Sequence, residues 1–194
     1  MLGRPSPDLV PGAPVDRLIL RSTKAAPGAD VSPLSCLPPG TTLRTARKPL
    51  LVEVSKHLER EAIHQGSTCM LVAAFQDAEH FTPMTARRYG RVTDAIAFTA
   101  ALGVGLPAEP VPGVRGATLN RNDPIVSEWD VAVLGPHFAA SLLAREQVRE
   151  GGGWAGVPDV ERTFDFALTY DRDVVTAAMH SLMSRVAAQA VGPR

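Results

Sequence analysis

Three short apolar-rich segments constrain this chain most: residues 68–75 (TCMLVAAF), 129–134 (WDVAVL) and 164–169 (FDFALT). The first is a short continuous apolar run, which suits a strand covered on both sides. The other two, each carrying one aspartate, read as further core strands. The segments between them carry helical spacing. Pro49 suits a first helical position, and Leu51, Val54, Leu58 and Ala62 recur every three or four residues before Gln65-Gly66. Thr82-Pro83 opens a second helix, expected to run to about Leu102 and to break at Gly103 and Gly105. Gly135-Pro136 opens a third, over 136–147, with Phe138, Ala139, Leu142 and Leu143 on one face. Asp171 caps a last helix over 171–190, buried through Val175, Met179, Leu182 and Val186. Strands joined through helices imply parallel pairing with right-handed crossovers. The fold class expected is α/β: a single domain with a mainly parallel central sheet, helices on both faces and Rossmann-like layering. A short strand is added at 114–119, and 150–158 (EGGGWAGVP) reads as a surface loop.

The first 47 residues read differently. Nine of the 17 prolines lie in the first 49 residues, and such density removes backbone donors and blocks helices. Residues 1–47 are expected to form a Pro-rich extended arm, partly disordered at its start, in which only 18–20 suits a short strand. The domain proper is expected over 48–194.

Composition excludes several classes. Lys+Arg and Asp+Glu balance at 20 each, which argues against direct capture of nucleic acid or an anionic membrane. No segment approaches the roughly 18 consecutive apolar residues of a membrane span. The amino terminus lacks the apolar core of a signal peptide, so a cytoplasmic location is expected. Two cysteines, Cys36 and Cys69, cannot build a disulfide framework.

Motifs for chemistry are scarce. There is no Walker A sequence, and Gly103-x-Gly105 follows a helix and precedes Pro107, the reverse of a dinucleotide-binding context. Five histidines are present, with His57 and His64 seven apart, yet no HExxH, CxxC or zinc-type His/Cys spacing occurs. No GxSxG nucleophile elbow exists. No catalytic residue, metal ligand or cofactor is assigned.

The blocks FQDAEHFTPMTARRYGRV (75–92), ALGVGLPAEPVPGVRGATL (101–119), DPIVSEWDVAVLGPHFAASLLARE (123–146) and RTFDFALTYDRDVVTAA (162–178) resemble the DICT sensory domain. VEVSKHLEREA (52–62) is similar to the opening helix of that domain. The resemblance implies sensing or relay in bacterial signal transduction, beside diguanylate cyclase, two-component or transcriptional-regulator partners. It transfers no catalytic set. No output module is legible in the sequence, so a stand-alone copy is expected to act through a partner protein.

In an open parallel sheet, ligands bind beyond the carboxyl ends of the strands. Parallel packing of the three core strands would gather Gln76, His80 and Phe81, then His137, then Tyr170, Asp171 and Arg172 on one edge. These are the candidate ligand-binding residues, although the same types also serve as helix caps and loop hydrogen bonds. Glu128 and Trp129, at a strand start, fall on the opposite edge in that arrangement, and Trp129 is read as core packing. Three functions then fit the sequence: a sensor of a small ligand that relays to a partner, a ligand-free interaction module, or an enzyme of unrecognised class.

Overall fold

The computed structural model of the chain describes residues 28, 31–147 and 158–190. The expected strand at 18–20, the start of the arm and nearly all of the 150–158 loop lie outside the described residues. In chain order the elements are β1 (Arg44–Arg47), α1 (Lys48–Gln65), β2 (Met70–Asp77), α2 (Pro83–Ala95), β3 (Phe98–Val104), β4 (Arg115–Thr118), β5 (Glu128–Leu134), β6 (Ala139–Glu146), β7 (Thr163–Thr169) and α3 (Arg172–Ala190). The strands form one sheet in the order β1-β7-β6-β5-β2-β3-β4. Only β2, β3 and β4 run parallel; the β2–β5, β5–β6, β6–β7 and β7–β1 pairs are antiparallel.

The expected mainly parallel, Rossmann-like sheet is therefore wrong, and two segments take a different form from the one expected, the first of them setting an antiparallel pair. Residues 136–147, expected to be a crossover helix, are a tight turn followed by β6. The Gly135 N–H donates to the Phe138 carbonyl at 2.8 Å, Pro136-His137 form the tip, and Leu134 pairs directly with Ala139. The chain reverses there without a crossover, so β6 must lie antiparallel to β5. Its burial pattern has five consecutive buried residues, which leaves no period-2 signal to separate a strand from a helix. The second segment is the end of the expected 83–102 helix. The helix stops at Ala95, its cap Ile96 is extended, and Phe98–Val104 is β3, paired on both sides by β2 and β4.

The helices cover both faces. α1 and α2 lie over Leu71 and Ala73 of β2, Val131 and Val133 of β5, Leu142 of β6 and Phe164 of β7. α3 lies on the other face, where Met179, Leu182 and Val186 meet Val72, Ala74, Ala100, Leu102 and Ala132. Burial of each such Leu or Val contributes about 2 kcal/mol, so the two layers supply most of the drive to fold. Two hydroxyl and carboxylate caps are as the sequence suggests: Thr82 Oγ1 accepts from the Thr85 N–H, and Asp171 Oδ1 accepts from the Asp173 and Val174 N–H groups. In the described part of the arm, Pro33–Cys36 form a 3-10 turn and Arg44–Arg47 pair with β7.

On the α3 face, β5 begins with two fully buried acids, Glu128 and Asp130. Glu128 Oε1 accepts from Ser32 Oγ at 2.6 Å and from Arg145 Nη2 at 2.7 Å. Burial, and secondarily the Glu128 charge, push the Asp130 carboxyl well above the usual carboxylate range. The folded state thus binds this proton more tightly than the unfolded chain. The resulting stabilisation is complete below the ordinary value and is lost as pH rises through the folded value. Asp130→Asn should therefore match the natural chain near about pH 4 and exceed it near about pH 7 in urea melts, with a flatter pH slope between.

Candidate functional site at the α1–α2 cleft

β2 leaves its regular path at its carboxyl end. Its register against β3 shifts between Ala74 and Asp77, and Gln76 has φ of 63°, in the left-handed region that side chains other than glycine rarely adopt. Holding it there costs about 1 kcal/mol, which neighbouring hydrogen bonds must offset. Those bonds come from one guanidinium. Arg162, just before β7, donates from Nη2 to Gln76 Oε1 at 2.9 Å and from Nε to Glu146 Oε1 at 2.6 Å. Nη2 also donates to Glu146 Oε2, while Nη1 reaches Asp159 Oδ1 at 3.1 Å and His80 Nε2 at 2.9 Å. All five guanidinium hydrogens are therefore engaged. Gln76 Nε2 closes the ring by donating to Glu146 Oε2 at 3.1 Å.

This arrangement fixes the state of His80. Arginine only donates, so His80 Nε2 must accept, and the ring proton sits on Nδ1, which donates to the Phe75 carbonyl at 3.0 Å. A protonated ring would face Arg162 with a second hydrogen. Burial, then Lys48 and Arg162, hold its pKa below the ordinary imidazole value, in agreement with the geometry.

Beside this network lies a cleft of about 300 Å³. Its floor is Phe75, Val131 and Trp129 from the sheet, and its walls are α1, α2 and the Ala78–His80 turn. Phe75, Phe81 and Tyr89 meet edge to face with centroids 5.2–5.5 Å apart. Trp129 stacks its edge on Phe164 at 5.7 Å. On the helical wall, the buried Glu59 of α1 accepts from Arg88 Nε of α2 at 2.7 Å. Lys48, at the start of α1, contacts Asp159 at 2.5 Å. Two of the lining residues, Tyr89 and Ser55, carry hydroxyls that are buried without a hydrogen-bond partner. The residues are 0% and 5% exposed. Such orphaned groups each carry a desolvation cost of about 1–3 kcal/mol, which packing around them must offset.

The seven candidate residues do not meet on one edge. Gln76 and His80 line the cleft, and Phe81 packs behind Phe75. His137, Tyr170, Asp171 and Arg172 gather at the opposite end of the sheet. There Arg172 Nη2 donates to the Gly135 and Pro136 carbonyls and the Tyr170 ring lies 6.4 Å from Phe138, with Tyr170 55% exposed. Antiparallel pairing is the cause. Met70 pairs with Leu134 and Ala74 with Asp130, so β5 starts where β2 ends. The same reversal brings Trp129 into the cleft and the start of β7, with Arg162, beside Gln76. Sequence reasoning missed Glu59, Arg88, Tyr89, Glu146, Asp159 and Arg162. One signal was available: Glu59 sits one residue after Leu58 on the buried stripe of α1, where a charge demands a partner.

The chain thus presents one seven-stranded sheet with a recess of about 300 Å³ beside the Arg162 network. Residues 34–147 match the family described as DICT, "Sensory domain in DIguanylate Cyclases and Two-component system". The chain belongs to the DICT family, and its role is in signal sensing. No curated protein matches it. A solved structure described as "Structure of TrmBL2, an archaeal chromatin protein, shows a novel mode of DNA binding" is similar at 10% identity and a TM-score of 0.44. The match covers 76% of this chain and 53% of that one, so the chain spans about half that protein's length, and the likeness carries no argument. Among the described residues, no helix is long and apolar enough to cross a membrane.

Two outcomes test the network. Arg162→Met leaves Glu146, with only 16% of its side chain exposed, without its cation, and should lower unfolding free energy by about 3 kcal/mol in urea titrations. His80, with a depressed pKa, contributes stability that is present above the ordinary value of 6.5 and is lost as pH falls through the folded value. His80→Gln should remove that acid-side loss, read as a flatter melting temperature between about pH 6.5 and 5.

Proposed function

We propose that this chain senses a small molecule held in the α1–α2 cleft and relays its occupancy to a partner protein. A diguanylate cyclase, a two-component protein or a transcriptional regulator would be that partner. The observation that carries the reading is a cleft of about 300 Å³, floored by Phe75, Val131 and Trp129 and lined by polar side chains from α1, α2 and the end of β2. Membership of a sensory family supports it. Gln76 and His80, held by Arg162, shape the sheet-side wall against which the ligand packs, with Phe81 supporting the floor through Phe75. His137, Tyr170, Asp171 and Arg172 serve the fold at the far end of the sheet rather than the ligand.

The protein turns over nothing on this reading. His80 has both ring nitrogens committed to Phe75 and Arg162, which leaves it no lone pair for general base work. The reading also places the domain in the cytoplasm, with neither nucleic acid nor membrane as its direct target. Relay follows from the cleft walls: a molecule bridging α1, α2 and the sheet draws the two helices toward β5 and changes the surface they present.

A thermal-shift screen of cell metabolites against the full chain tests this. A ligand at a hundredfold excess over its dissociation constant adds about 2.7 kcal/mol to the folded state. The expected hit loses its shift in Trp129→Ala and His80→Ala and keeps it in His137→Ala and Tyr170→Ala. The converse pattern would move the site to the far end of the sheet. Sustained consumption of the hit would make the protein an enzyme. No hit, together with recovery of a signalling partner by pull-down, would favour a ligand-free interaction module.

A further inference from the structure

Charge around the cleft is answered everywhere except at one point of its rim. Lys48 faces Asp159 at 2.5 Å, Lys56 faces Glu53 at 2.7 Å, and Arg88 faces Glu59 at 2.7 Å. Behind them Arg162 is paired with Glu146, and His80 stands neutral with Nε2 accepting from Arg162. Every lining cation therefore has a carboxylate of its own. Glu79 is left over: it lines the cleft and, among the described residues, has no ion-pair partner. Its place is fixed by the turn that carries it. The Glu79 N–H donates to Asp77 Oδ1 at 3.0 Å, and the next residue, His80, is tied to the Phe75 carbonyl and to Arg162. The Ala78–His80 turn thus holds an exposed carboxylate at the mouth of the recess. The interior differs in kind: its floor is Phe75, Trp129 and Val131, with no charged group among them.

A guest must suit both regions. An apolar, planar body matches the floor, because a charge driven there would lose its hydration without gaining a counter-ion. A cation matches the rim, where Glu79 offers the unanswered charge and water still reaches the pair. The half-buried Phe75 and Trp129 rings add to the attraction, since the face of an aromatic ring favours a nearby cation. A single carboxylate suits a monovalent organic cation; among the described residues no group of three His, Cys, Asp or Glu is placed to hold a metal ion. An anion would meet the Glu79 charge and find each lining cation already engaged. We infer that the cleft takes an arylalkylamine, its ring seated on Phe75 and Trp129 and its ammonium at the mouth beside Glu79. The inference rests on the cleft being the ligand site proposed above, and it adds the chemical class.

Three probes sharing an indole ring decide it, each measured by calorimetry on the full chain. Tryptamine is a cation, tryptophol is its neutral alcohol counterpart, and indole-3-propionate is an anion. At low salt tryptamine should bind about tenfold more tightly than tryptophol, and indole-3-propionate more weakly than either. Glu79→Gln should cut the tryptamine advantage to about threefold and leave tryptophol unchanged. The unliganded melting temperature of that variant should match the natural chain, since the Glu79 carboxylate has no ion-pair partner to lose. Asp94→Asn, which removes an exposed acid of α2 outside the cleft lining, should leave all three affinities as they are. Raising salt to about 0.5 M should bring tryptamine toward tryptophol. Tryptophol or indole-3-propionate equalling tryptamine, tryptamine binding unchanged in Glu79→Gln, an equal loss in Asp94→Asn, or no binding by any probe would overturn the inference. If the metabolite screen still yields a hit lost in Trp129→Ala, the cleft remains a sensor site and only the ligand class is wrong. If the screen fails as well, the site itself falls.

Discussion

The Arg162 guanidinium is the interaction on which the site depends. It is held at the entrance to β7 and spends all five hydrogens on groups from different parts of the chain: Gln76 of β2, Glu146 of β6, His80 after β2 and Asp159 before β7. Because arginine cannot accept, every partner must present an acceptor to it: the carboxyl oxygens of Glu146, an amide oxygen of Gln76 turned inward, the unprotonated Nε2 of His80. The left-handed Gln76 backbone and the irregular register of β2 are sustained by the same bonds. Removing the cation would leave a buried carboxylate and a strained residue together, which couples the stability of this sheet end to the shape of the cleft.

The cleft uses two kinds of polar group. Those that hold its walls are satisfied: Glu59 by Arg88, Lys48 by Asp159, His80 by Phe75 and Arg162. Two hydroxyls of lining residues, Tyr89 Oη and Ser55 Oγ, are buried and are not. A folded protein seldom leaves buried hydroxyls idle, since each has given up water without a replacement. On the opposite face of β5, Glu128 is held by Ser32 and Arg145 above α3, so one strand carries the cleft on one side and a structural polar anchor on the other.

Much of the frame was determined by the sequence itself. Helical spacing and capping residues located α1 and α3, short apolar-rich segments located the strands β2, β5 and β7, and the ordered blocks from 52 to 178 were enough to identify the family. What local sequence could not decide was direction. Residues 98–104 and 139–146 are buried on both sides, so their apolar content is compatible with either a helix or a strand, and only neighbouring strands on each flank select the latter. The four-residue reversal at Gly135–Phe138 then sets β5 antiparallel to β6, and the pairing of β5 with β2 sends the starts of β5 and β7 to the end of β2. Gln76 and His80 could be read as candidates because they follow a strand. Trp129 and Arg162 could not, because they precede one, and a strand's start joins another strand's end only through an antiparallel sheet. The residue types at the site were thus written locally, while their meeting was a long-range consequence of pairing, which tertiary structure alone decides.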